Sequence, residues 1–180
     1  MSAFSWFPDG VFGASPEAHR FNADCYGYAL SVLWEPTLYP ACESDSETYR
    51  LLVLPTFTCP VAIRVFCNGT STTALAKRGS GRGGYDPGEL AEEVTSLLAD
   101  AEWMKIQSLI TKSGFWSLAS TDRTWSGGDG TTCVLEGSRD GRYHVVDRWQ
   151  PREGPFRDLC SLLLRIGRPL IERLHYDPLR

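Results

Sequence analysis

The sequence lacks several features that would assign it to a broad functional class. No apolar run approaches the roughly 18–20 residues that cross a membrane. Residues 1–13 contain neither a basic segment nor a long apolar segment, which predicts that there is no secretory signal and that the protein is cytoplasmic. With 18 basic and 22 acidic side chains, a net charge of −4 makes nucleic acid an unfavoured partner. A mildly acidic chain instead favours a partner with a basic surface.

The motifs of common metal and nucleotide sites are also missing. Six cysteines are present without a C-x-x-C pair, so the spacing indicates no zinc knuckle, and reduced thiols are expected. The three histidines, at positions 19, 144 and 175, follow no metal-ligand spacing. No H-E-x-x-H, G-x-S-x-G or G-K-[ST] motif occurs. The sequence therefore predicts no metal site and no cofactor.

What the chain does have is the length and composition of one globular domain. It contains 180 residues, of which 42% are hydrophobic and 22% are charged. We predict a single domain over residues 1–180, with an irregular aromatic lead-in over 1–21 and a short C-terminal helix or tail over 168–180. The composition leaves the oligomeric state open.

Apolar periodicity and turn signals predict an α+β fold. Helical patterns with caps such as Asn22 and Asp86 predict helices over residues 22–35, 86–98, 100–113 and 155–166. A strand begins at Tyr49, and Asn68-Gly69 predicts a two-residue hairpin turn that sets Val65 opposite Thr72. Together these elements predict a mainly antiparallel sheet of about five strands, with helices packed on one face.

A second hairpin, around the Asp140-Gly141 turn, carries most of the side chains that could perform chemistry. Its register places Glu136, Tyr143, Asp147 and Trp149 on one face, and Cys133, His144 and Arg148 on the other. Cys133 and His144 share a face but lie four pairs apart, roughly 13 Å, which is too far for a nucleophile and its base.

Glu136 and Asp147 form the strongest catalytic candidate. They lie diagonally on one face, roughly 5–8 Å apart, and such a carboxylate pair could serve a hydrolase, with His144 as a further candidate base. Pairing of each carboxylate with an Arg or Lys of a neighbouring element is the structural alternative. No complete catalytic set is assembled, so the sequence favours a protein that is not an enzyme.

The glycine-rich loop from Arg78 to Gly84 suggests a second alternative, an RNA-binding module. Lys77, Arg78 and Arg82 could contact RNA or an acidic surface. The acidic residues that follow the loop would repel an anion, and loops of this composition are usually solvated turns. RNA binding is therefore the less favoured alternative.

Four segments together resemble a family of small uncharacterised bacterial proteins: ETYRLLVLPTF, GFWSL, DGTTCVLEG and DGRYHVVDRWQP. The similarity spans roughly residues 35–166 and leaves the first 34 residues and the tail after Gly167 outside. The resemblance implies a bacterial or phage-linked origin and one intact domain. It implies no activity, and it brings no catalytic residue to this chain.

These observations favour a non-enzymatic protein-binding domain, of the kind found in inhibitors and immunity proteins. Tyrosine, tryptophan and arginine are the usual anchors of protein interfaces. The residues we predict for binding are Tyr143, Arg148, Trp149 and Trp125.

Overall fold

The computed structural model describes residues 5–13, 15–41, 46–122 and 129–168. These form a six-stranded antiparallel sheet and three α-helices, which confirms the α+β class. In chain order the elements are α1 (Pro16–Val32), β1 (Glu47–Pro55), β2 (Val61–Cys67), β3 (Thr72–Gly79), β4 (Leu90–Leu98), α2 (Asp100–Ser113), β5 (Thr131–Arg139), β6 (Arg142–Trp149) and α3 (Pro155–Ile166). The strands lie in the order β4-β3-β2-β1-β5-β6. Trp125 and residues 169–180 of the predicted C-terminal helix or tail lie outside the described residues.

Helices cover both faces of the sheet. Helices α2 and α3 pack on the face that carries Leu51 and Ile63. The sequence placed all the helices on one face. Helix α1 and the lead-in pack on the opposite face, against Leu52 and Ala62. Strand β1 therefore lies between two layers, and every residue from Thr48 to Val53 is buried. Among the described residues, no helix is long and apolar enough to cross a membrane.

The segment 90–98 forms strand β4, so the helix predicted over 86–98 is wrong and the sheet has six strands. Asp86 does accept a hydrogen bond, from the Gly88 amide at 3.2 Å, but Gly88 has a φ of +70° and closes a turn. The chain then pairs with β3, and the Arg78–Glu92 ion pair at 2.6 Å ties the two strands together. Tertiary pairing thus overrides the local capping signal.

The first hairpin has a wider turn than expected. Asn68 Oδ1 accepts hydrogen bonds from the amides of Thr70 (3.1 Å) and Ser71 (3.0 Å), which closes a four-residue loop over 68–71. Val65 consequently faces Ala74 instead of Thr72. Because the register moves by two residues, each side chain stays on its predicted face.

Helix α1 begins earlier than expected. Ser15 is its N-cap and accepts a hydrogen bond from the Ala18 amide at 3.2 Å. Asn22, the predicted cap, lies within the helix and donates to the Phe12 carbonyl oxygen at 3.0 Å. The lead-in is therefore fixed to α1.

The second hairpin has the predicted register. Arg139 pairs with Arg142, Gly137 with His144 and Cys133 with Arg148. The two faces predicted for this hairpin follow directly, and Cys133 and His144 lie four pairs apart as expected.

Candidate functional site

Glu136 forms a fully buried ion pair. Arg50 on β1 is its partner in the β1–β5 register, and neither residue is exposed to solvent. Arg50 Nη2 lies 2.6 Å and Nε 2.7 Å from Glu136 Oε2. The Tyr143 hydroxyl donates to Glu136 Oε1 at 2.8 Å. Burial raises the pKa of Glu136, and the Arg50 charge opposes that effect. Both carboxylate oxygens are thus engaged inside the protein.

Glu35, directly after α1, extends this pair into a buried ion cluster. Its carboxylate lies 3.4 Å from Arg50, 2.8 Å from Arg64 and 3.3 Å from Lys77. Lys77 also donates to the carbonyl oxygen of Trp34 at 2.8 Å. The cluster therefore fastens the end of α1 to strands β1, β2 and β3. We define the buried ion cluster as Arg50, Glu136, Glu35, Arg64 and Lys77.

Asp147, the second carboxylate of the catalytic candidate, lies on the same face and is 8% exposed. Its Oδ2 accepts a hydrogen bond from the Tyr26 hydroxyl on α1 at 3.1 Å. Neither Asp147 nor Glu136 lines either of the two cavities described below. The contacts of both carboxylates are those of groups that hold the sheet to its neighbours, which favours the structural alternative.

His144 lies on the opposite face, where Phe115 and Trp116 surround it. Its Nε2 is 3.0 Å from the Leu118 carbonyl oxygen, and its ring centroid is 5.2 Å from that of Phe115. Burial lowers the pKa of His144, and the nearby positive charges of Arg142 and Arg148 add to this effect. These contacts hold the ring in place as a packing residue.

The predicted binding residues lie on two faces of the sheet. The Tyr143 ring packs against Tyr39 at 5.3 Å between centroids, and its hydroxyl is held by Glu136. Arg148, on the other face, donates to the carbonyl oxygens of Asp147 (2.6 Å) and Ala119 (2.8 Å). Trp149 is half-buried, and Trp125 lies outside the described residues. Their binding role stays a prediction, and the described three do not form one patch.

Two of the three basic side chains at the glycine-rich loop form ion pairs within the protein. Arg78 pairs with Glu92 at 2.6 Å, and Lys77 belongs to the buried ion cluster. The loop itself is closed by backbone hydrogen bonds, including the one from Gly84 to the Pro55 carbonyl oxygen at 3.2 Å. Arg82 is exposed. With two of the three cations engaged, the loop offers little positive charge to RNA.

An apolar cavity of about 250 Å³ opens between α1 and the 83–87 loop. Phe21, Cys25 and Tyr28 contribute its wall on α1, and Tyr85 stands on the loop side. The Phe21 and Tyr85 rings lie 6.0 Å apart in an edge-to-face arrangement. Cavities of roughly 150 Å³ already accept benzene, so this one has room for a large side chain. The exposed fractions of Phe21, Tyr28 and Tyr85 are 57%, 56% and 78%.

The sequence contained a signal for this cavity. Phe21, Cys25 and Tyr28 follow helical i, i+4, i+7 spacing, so they share one stripe of α1. The inner stripe of the same helix carries Ala29 and Leu30, which are buried. A second apolar stripe on a helix whose first stripe already faces the core marks a surface with a further use.

A second cavity, of about 450 Å³, lies beside α2 and is lined by Glu47, Tyr49, Gln107 and Arg139 among others. Its polar groups bind one another: Glu47 accepts hydrogen bonds from Gln107 at 3.2 Å and from Arg139 at 3.4 Å. Burial, together with the Glu47 carboxylate, raises the pKa of Tyr49. These mutual contacts leave few groups to recognise a ligand.

Comparison with known proteins adds no further residue to the site. No protein-family model matches the chain. None of the curated proteins compared with it has a significantly similar sequence. Within the described ranges, no three His, Cys, Asp or Glu side chains are grouped so that they could hold a metal ion.

Proposed function

We propose that the protein is a non-enzymatic binding domain that takes a large apolar side chain of a partner protein into the cavity beside α1. The observation that carries the proposal is this cavity, bordered by three aromatic side chains that are each more than half exposed. Contiguous exposed aromatic surface is uncommon on proteins that bind nothing, and pockets of this kind accept the anchor residues of interfaces.

The charge around the cavity indicates the chemistry of the partner. Asp24 is the one charged residue among the described residues that line the cavity. A carboxylate beside an apolar cavity favours an anchor residue that is flanked by Lys or Arg. The net charge of −4 acts in the same direction. An inhibitor or immunity role, in a bacterial or phage setting, fits such a partner.

The same cavity gives little support to catalysis. Cys25 is its only lining thiol among the described residues, and burial raises the pKa of that thiol. The thiol is thus held protonated, while the nucleophilic form of cysteine is the thiolate. No histidine lines the cavity within the described part of the chain. Among the described lining residues, Cys25 therefore has neither an imidazole base nor a positive charge to activate it.

Selection of a phage-displayed peptide library on the immobilised protein tests the proposal. We expect enrichment of peptides in which Trp, Phe or Leu stands beside Lys or Arg. Phe21→Ala and Tyr85→Ala should each weaken binding of a selected peptide about tenfold, because each removes part of the cavity border. Met104→Ala is the matched control, since Met104 is 66% exposed and lies on α2, on the other face of the sheet.

Two results would contradict the proposal. One is a selection that enriches no apolar anchor. The other is a selected peptide that binds both cavity variants as tightly as it binds the Met104→Ala control. Asp24→Asn separates the charge from the apolar contact: it should reduce the preference for basic flanking residues and leave the apolar anchor in place.

A further inference from the structure

The two edge strands of the sheet differ in how far other segments cover them. At β6, the segment 118–122 covers the edge: the Asp147 amide donates to the Ser120 carbonyl oxygen at 2.7 Å, and Thr121 forms a bridge with Asp147. At β4, none of the described strands pairs with the outer side, and residues Glu93 to Leu97 are all exposed. An open edge presents unpaired backbone groups to a further strand.

The usual protections against strand addition are weak in β4. A register shift opposite Arg78 and Gly79 leaves Ala91 without a partner, so the regular part of the strand covers residues 92–98. That part contains no lysine and no proline. Its two carboxylates are already paired, Glu92 with Arg78 at 2.6 Å and Glu93 with Lys77 at 3.5 Å. Seven regular residues with compensated charge are thus available for pairing.

We propose that β4 binds β4 of a second copy of this chain in antiparallel orientation, with a two-fold axis at Thr95. Pairing all of residues 92–98 requires this register, because Thr95 is the middle residue. Glu92 then faces Leu98, Glu93 faces Leu97, and Val94 faces Ser96 of the second copy. No carboxylate faces a carboxylate, and the Thr95–Thr95 pair is one of the favourable cross-strand pairs. The two sheets become one continuous sheet.

The same register places two exposed apolar side chains, one from each copy, on the same face of the joined sheet. Leu97 is 80% exposed and Trp34 is 76% exposed. Trp34 stands just after α1 with a φ of 52°, and its backbone is held because its carbonyl oxygen binds Lys77 Nζ. Lys77 pairs with Glu93, and Glu93 would face Leu97 of the second copy. These three residues are neighbours on successive strands. Leu97 of the second copy therefore lies two strand spacings, roughly 10 Å, from Lys77, on the face that carries Trp34.

Sedimentation velocity over a range of protein concentrations tests the dimer. We expect a reversible monomer–dimer equilibrium with a micromolar dissociation constant, as is usual for a small interface. Thr95→Lys should raise the dissociation constant about tenfold or more, because it places two like charges directly opposite each other. Ser108→Lys is the matched control: it adds the same charge at an exposed position of α2 and should leave the equilibrium unchanged. Leu97→Ala should weaken the dimer several-fold.

A charge-swap experiment tests the two-fold register. Thr95→Glu alone should dimerise as weakly as Thr95→Lys. An equimolar mixture of the two should form a tighter heterodimer, since only a register that sets residue 95 against itself pairs the new charges. A wild type that stays monomeric at every concentration would overturn the proposal. So would a dimer that resists Thr95→Lys, or a mixture that fails to associate. Tyr85→Ala should dimerise normally, which separates this interface from the cavity beside α1.

Discussion

Replacing Glu136 with alanine is the most direct test of the buried ion cluster. The substitution removes the carboxylate that lies 2.6 Å from Arg50, and it leaves Glu35, at 3.4 Å, as the remaining acidic partner of a guanidinium with no solvent exposure. It also removes the acceptor of the Tyr143 hydroxyl. Breaking a buried pair by removal of one partner costs about 3–5 kcal/mol. A domain is typically stable by about 5–15 kcal/mol, so this loss is a large part of the total.

Urea unfolding followed by tryptophan fluorescence measures the effect. We expect Glu136→Ala to lower the free energy of unfolding by about 4 kcal/mol. The double variant Arg50→Met, Glu136→Leu should recover most of that loss, because it removes both charges and keeps apolar volume. Arg139→Ala is the control: the Arg139 side chain is 46% exposed in its ion pairs with Glu47 and Asp140, and its loss should cost less than about 1 kcal/mol.

The outcome separates a structural from a catalytic carboxylate. If Glu136→Ala costs no more than the Arg139→Ala control, the buried pair contributes little and the reasoning from burial is refuted. If both Glu136→Ala and the double variant unfold the protein, the alternative variant Glu136→Gln, which keeps the shape of the side chain, still measures the effect of the charge. A variant that remains fully stable would restore Glu136 as a catalytic candidate.

Two further predictions concern the other face of the hairpin. Because burial lowers the pKa of His144, the unfolded chain binds a proton more readily, so this residue adds stability above its ordinary pKa of about 6.5 and loses it as the pH falls. His144→Gln should therefore flatten the increase in unfolding free energy between about pH 5 and 7. Urea unfolding at several pH values measures this, and an unchanged dependence of the unfolding free energy on pH would contradict it. Gly137→Ala would bring a Cβ atom to 2.6 Å from Phe115 Cε1 and 3.0 Å from Tyr49 Cε1. It should cost about 1–3 kcal/mol in thermal unfolding, and a neutral result would show that Phe115 moves aside.

The second hairpin shows what a sequence can predict about a site. Asp140-Gly141 adopts positive φ at both residues, 51° and 68°, as a tight two-residue turn requires. Once the turn is fixed, the register is fixed, and the period of two assigns each side chain to a face. The faces of Glu136 and His144, and the separation of Cys133 from His144, therefore followed from local information alone.

Strand β4 shows where local information fails. Asp86, Pro87 and Glu89 form a sequence typical of a helix start, and the apolar residues after them also fit helical spacing. The competing information lies on β3, because Arg78 and Lys77 pair with Glu92 and Glu93 only when the two segments run side by side. Such pairing depends on residues far along the chain, so the pattern within 86–98 could not reveal it.

The buried ion cluster links both proposed surfaces to one structural cause. Glu35 begins the chain segment after α1 and binds cations on three strands, and this position fixes how α1 lies on the sheet. The same helix supplies one wall of the apolar cavity through Phe21 and Tyr28, and Trp34, just after it, is held by its carbonyl oxygen to Lys77 on β3, the strand next to the open edge. Buried ions often contribute little net stability but select one arrangement among several apolar ones. Here the arrangement in question is the position of α1 on the sheet, on which both proposed surfaces depend.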